Sequence, residues 1–109
     1  IFKIISEELN ILSKSKYDKK ILIINTDLMD KSFIDFYDQE IFNELVNQPT
    51  HIQNLLIEKY PLNKLSGIEI YILYKPIDKM DSERFEIVSD FYKLFLESNG
   101  AHVSIGSNL

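Results

Sequence analysis

The chain has 109 residues, enough for one small domain with a true core, and 45% hydrophobic with 27% charged residues is a globular composition. A formal net charge of −5 argues against a nucleic-acid partner, because binding a phosphate backbone needs a basic face. With no cysteine there are no disulfides, thiolate metal sites or cysteine nucleophiles, and no apolar run approaches the roughly 18 residues of a membrane span, which argues against membrane insertion.

Apolar residues at positions 1, 4, 5, 9 and 12 give Ile1 to about Ser15 the stripe of an amphipathic helix. There is no initiator Met and the chain opens already in that pattern, so further residues are expected upstream. Lys14 to Lys19 loses the stripe, and the lysines at 14, 16, 19 and 20 read as a solvated connection. Four branched apolar residues, Ile21 to Ile24, then form a run typical of a strand in a parallel sheet, ending at a polar tip, Asn25-Thr26-Asp27.

Ser32 is placed to cap a helix from Phe33, in which Ile34, Tyr37, Ile41 and Leu45 recur at helical spacing until Pro49 stops it. Thr50-His51-Ile52-Gln53 has the form of a capping box opening a short helix through Leu55, Leu56 and Lys59, which Pro61 closes. Gly67 to Tyr74 is the second strand, closed by Pro76. Asp81 or Ser82 caps a long helix to about Ser98, striped by Phe85, Val88, Phe91, Tyr92, Phe95 and Leu96. Asn99-Gly100 is a helix stop and Ala101 to Ile105 the third strand.

Strands alternating with helices predict an α/β fold: three layers, with a parallel three-stranded sheet and helices on both faces. The strands at 20–26, 67–75 and 101–105 are expected to be neighbours in that order, within a single, partial domain spanning residues 1–109. The first strand is then an apolar open edge, and it is expected to pair with upstream chain or with a protein partner.

Asp27 is the first candidate for chemistry, because open α/β sheets place ligands at the carboxyl ends of their strands. Thr26, Asp30 and Ser32 lie close by as further ligand-tip candidates, although all three residue types also cap turns. A lone carboxylate does not make a cation site, since Mg²⁺ and Ca²⁺ need several oxygens. Asp35, Asp38, Glu40 and Glu44 read as a solvated acidic face, and His51 and His102 as surface or half-buried histidines with no zinc spacing between them. Phe33, Phe36, Tyr37 and Phe42 can serve as core or as an interaction surface. There is no Gly-x-Ser-x-Gly elbow, and three glycines, at 67, 100 and 106, cannot build a phosphate-binding loop.

The run ILIINTDLMDKS, the aromatic-rich FIDFYDQEIF, then GIEIYILYKP and DFYKLFLESNGAHVSI together resemble the second half of bacterial von Willebrand factor A-like (VWA-like) domains. The matching motifs are Thr26-Asp27-Leu28-Met29, Tyr74-Lys75-Pro76, Tyr92 to Phe95 and Gly100-Ala101, and the likeness runs from Leu9 onward. The resemblance implies half of a doubly wound, Rossmann-like sheet and a non-catalytic interaction or scaffold module in a bacterial protein. It also implies a remnant of a metal-ion-dependent ligand site. In such domains Mg²⁺ is held by an Asp-x-Ser-x-Ser loop, a threonine and an aspartate after the fourth strand. Asp27 matches that aspartate, and Asp-x-Ser-x-Ser is absent from these residues, so a Mg²⁺ site here would need upstream residues to complete it. The alternative is a receiver-like phospho-acceptor of two-component signalling, which Lys75-Pro76 after a strand and its spacing from Asp27 resemble.

Overall fold

The branched residues of Lys20–Asn25 (β1), Ile68–Leu73 (β2) and His102–Gly106 (β3) form one sheet, in a computed structural model that describes residues 1–108. Its order is β1-β2-β3 and both pairings are parallel, with Lys20 opposite Ile68, Asn25 opposite Leu73, and Glu69 opposite His102. The helices are Phe2–Ser13 (α1), Gln39–Asn47 (α2), Pro49–Lys59 (α3) and Lys79–Ser98 (α4). The predicted α/β architecture is present as half of a three-layer, doubly wound arrangement.

Which half follows from the topology. Right-handed crossovers between strands laid down in sequence order carry the connecting helices to the same side of the sheet. Leu22, Ile24, Ile68, Ile70, Ile72, Val103 and Ile105 accordingly join the helices in one hydrophobic core. Their alternate neighbours line the opposite face, where Ile21 is 39% and Ile23 48% exposed and Glu69 and Tyr71 are half-buried. Among the described residues, no strand lies beside the far edge of β1.

The six apolar positions of the α4 stripe are all buried. On α1 the buried face is Phe2, Ile5, Ser6 and Leu9, while Ile4 points to solvent. Phe2 takes the central place because its ring stacks on Phe95, with centroids 5.4 Å apart, and meets Tyr60 edge-on. Pro49 opens α3 at its first turn, where the missing N–H costs nothing, and Gln48 both closes α2 and begins α3; the Thr50 hydroxyl caps neither. The cap of α4 is Asp78, whose carboxylate accepts from the Asp81 N–H at 2.8 Å. Gly100 closes that helix at φ +107°, where a Cβ would also lie 3.1 Å from the Ser66 nitrogen. Among the described residues, no helix is long and apolar enough to cross a membrane.

Tyr92 is buried throughout, and its hydroxyl has no hydrogen-bond partner among the described residues. Burial, together with the Asp30 charge, pushes that hydroxyl far above the usual tyrosine range. A buried unpaired donor costs about 1–3 kcal/mol. Tyr92→Phe, which keeps the ring and removes the orphan, is therefore expected to raise stability by about 1 kcal/mol in urea denaturation; a loss of similar size would show that the hydroxyl has a partner in solution.

Candidate functional site

The loop from Thr26 to Asp38 leaves the carboxyl end of β1 and carries every candidate ligand read from the sequence. Its first turn is built by side chains that bond the backbone two residues on. The Thr26 Oγ1 accepts from the Leu28 N–H at 3.1 Å, and the Asp27 Oδ1 from the Met29 N–H at 3.0 Å. Between them Leu28 adopts φ +63°, which is strained for a residue with a Cβ, and is held there by a fully buried side chain. The Thr26 N–H donates to the Leu73 carbonyl at 3.2 Å, so the tip stays tied to β2.

Asp30 is only 7% exposed and anchors the second turn. One carboxylate oxygen accepts from the Ser32 N–H at 2.9 Å and the Ser32 hydroxyl at 2.7 Å; the other accepts from the Ile1 nitrogen at 2.9 Å. Burial alone would raise the Asp30 pKa, but the hydrogen bonds from the Ser32 N–H and hydroxyl oppose it, and together these donors hold the carboxyl below its usual range. The Asp30 carbonyl accepts from the Phe36 N–H at 2.7 Å. Asp35 accepts from the Tyr37 N–H, and Asp38 from the N–H groups of Glu40 and Ile41, which makes Asp38 the cap of α2.

This local bonding corrects the helix expected from Phe33. Ser32 bonds Asp30 and caps no helix, and the chain reaches helical geometry only at Gln39. Short acidic side chains bonding their own backbone compete with a helix, and here three of them win in succession. The aromatic set divides accordingly: Phe36 is buried, Phe42 half-buried, and Phe33 and Tyr37 exposed.

Thr26, Asp27, Asp30 and Ser32 thus share one loop, and the geometry joins Asp30 to Ser32 directly. Both Asp30 oxygens are committed to donors, which leaves Asp27 as the half-exposed carboxylate of the tip. Among the described residues, no group of three or more His, Cys, Asp or Glu side chains could together hold a metal ion. His51 and His102 are exposed, each within 4 Å of a single glutamate, Glu44 and Glu97 respectively. Lys75 leaves β2 just beyond Leu73, the partner of Asn25, so Asp27 and Lys75 stand at the same end of neighbouring strands; no ion pair joins them among the described residues.

Two features of this end of the sheet escaped the sequence reading. The Tyr74 hydroxyl donates to Asp81, which also accepts from the Ile77 N–H at 3.0 Å. That bond lowers the Asp81 pKa and, reinforced by burial, pushes the Tyr74 hydroxyl up to about 12. Beside the loop lies a cleft of about 270 Å³, lined by Met29, Tyr37, Phe42, Met80 and Arg84 among others. The available signal was that Arg84 is the single arginine in the chain, where every other strong cation is lysine. Comparison of the chain with models of protein families, with curated proteins and with solved structures finds no match.

Proposed function

We propose that the chain is a non-catalytic interaction or scaffold module of VWA-like type in a bacterial protein, and that β1 is where its partner docks. The observation that carries this reading is the β1 edge: an apolar strand with no neighbour on one side among the described residues and with Ile21 and Ile23 exposed on the uncovered face. Proteins blunt such edges with charge, proline or a bulge, and β1 has none of these from Ile21 to Ile24. A strand supplied by a partner, or by another part of the same protein, satisfies the edge and covers the isoleucines together. The Asp27 tip is then a remnant of a ligand site, with Mg²⁺ bound only where other residues complete the coordination.

The edge can be tested without disturbing the sheet. The Thr26 N–H points to β2, so by alternation the N–H groups of Ile21, Ile23 and Asn25 point outward. Proline is tolerated where the N–H faces out. Ile23→Pro is expected to cost the fold about 1–2 kcal/mol and to abolish docking. A photo-crosslinking residue at position 21, in cells that make the protein, should give one adduct with a partner or with another part of the chain, and Ile23→Pro should remove it. No adduct, or one indifferent to Ile23→Pro, rules out the edge as the docking site.

The placement of Asp27 and Lys75 at one end of adjacent strands favours a second reading, a receiver-like phospho-acceptor with Asp27 as the acceptor. Beryllofluoride with Mg²⁺ separates the two. NMR shifts centred on Asp27 and requiring beryllofluoride support the receiver; shifts with Mg²⁺ alone support the metal-site remnant.

A further inference from the structure

The cleft beside the loop is formed by three separate stretches of chain. Met29 and Tyr37 come from the loop after β1, Phe42 from α2, and Met80 and Arg84 from the first turns of α4. Its walls are mainly thioether and aromatic, and Arg84 supplies its one formal charge.

Arg84 is half-buried, and its Nε is fully covered without a hydrogen-bond partner among the described residues. Its guanidinium carbon lies 5.8 Å from the centre of the Tyr37 ring, and the Lys31 ammonium lies 5.1 Å from the same ring. Two cations therefore converge on one aromatic in a chain of net charge −5. The carboxylate that feels Arg84, Asp81, is already occupied by the Tyr74 hydroxyl and the Ile77 N–H. Among the described residues no carboxylate lies within ion-pair distance of Arg84. A guanidinium is a planar fork of donors matched to a carboxylate, which lysine is not, and this is the one place where the chain uses it.

We infer that this cleft binds a carboxylate borne on a small apolar or aromatic body, with Arg84 holding the carboxylate and Met29, Phe42 and Met80 packing on the body. The Tyr37 ring, 5.8 Å from the guanidinium carbon, helps to hold Arg84 at the cleft by cation–π attraction. The size of the cleft limits the bound portion to a single small acid or one acidic unit beside an apolar side chain. The site is independent of the β1 edge, so loss of either leaves the other intact.

The test is an NMR titration of the chain with 3-phenylpropionate, with its neutral amide as control and an amidated Phe-Asp dipeptide as a third arm. The acid should shift the amide signals of Met29, Tyr37 and Arg84 and the Arg84 Nε–H, and the neutral amide should bind about tenfold more weakly or worse. Arg84→Gln should lose the acid, and Arg84→Lys should keep charge but lose most of the affinity. Met80 is 65% exposed, so Met80→Glu tests the site without touching the core: a carboxylate at the mouth should compete with the ligand and weaken it at least about tenfold, with thermal stability unchanged. Tighter binding of the dipeptide assigns the natural acid to a protein, and tighter binding of 3-phenylpropionate to a small molecule. Equal binding of acid and amide, shifts elsewhere on the molecule, unaltered binding by the Arg84 and Met80 variants, or no binding of either carboxylate overturns the inference.

Discussion

Phe36→Ala should destabilise the protein by about 3–5 kcal/mol, the range for emptying a buried aromatic site. Phe36 is 1% exposed, meets Phe91 edge-on at 6.3 Å and lies 6.4 Å from Tyr92, so one side chain from the loop docks on the middle of α4. Against a typical stability of about 5–15 kcal/mol the loss is large, and in a domain of this size it lowers the melting temperature by about 15–25 °C. The neighbouring Tyr37→Ala, at an exposed ring, should cost about 1 kcal/mol or less. Equal effects of the two in thermal melts would mean that the loop carrying Asp27 is not held by the core. The predicted inequality makes the loop part of the scaffold, and it makes the candidate site preorganised.

Replacing Asp30 should give the second large effect, and one that depends on pH. Folding lowers its pKa below the usual 3.8 through hydrogen bonds that include both Ser32 donors, which favours the native state when the carboxylate is charged. A depressed carboxylate pKa stabilises fully above the unfolded value, and that contribution is lost as pH falls through the folded one. The difference in stability between the native sequence and Asp30→Asn is expected to be about 1–2 kcal/mol at pH 7, to shrink between about pH 4 and pH 2, and to vanish below. Asp30→Ala should cost more at every pH, because it also strands the Ser32 donors. Urea denaturation of the three proteins at pH 7, 4 and 2 checks this. A difference that stays constant with pH would place the effect of Asp30 in packing and not in its charge.

The sheet was legible because β1 and β2 are branched apolar runs whose type the local sequence decides, and α4 because its buried stripe is unbroken over six positions. The segment after β1 was not. Its apolar spacing suits a helix, and what defeats the helix is hydrogen bonding by Asp30, Asp35 and Asp38, a choice that periodicity does not encode. The buried face of α1 was read one step off, because the preference for Phe2 over Ile4 depends on Phe95, distant in sequence. For the site, the tip at Thr26 and Asp27 followed from where the strand ends. Both the Ile1 contact to Asp30 and the meeting of Tyr37 with Arg84 join residues brought together only by the fold.

The order of the sheet also leaves its strands unequally held. β1 and β3 are each bonded along one side only, so their amide hydrogens should exchange with solvent ahead of those of β2. A partner that adds a strand to β1 would do more than occupy a surface: it would bond the free side of that strand, slow its exchange and lengthen the lifetime of the folded chain.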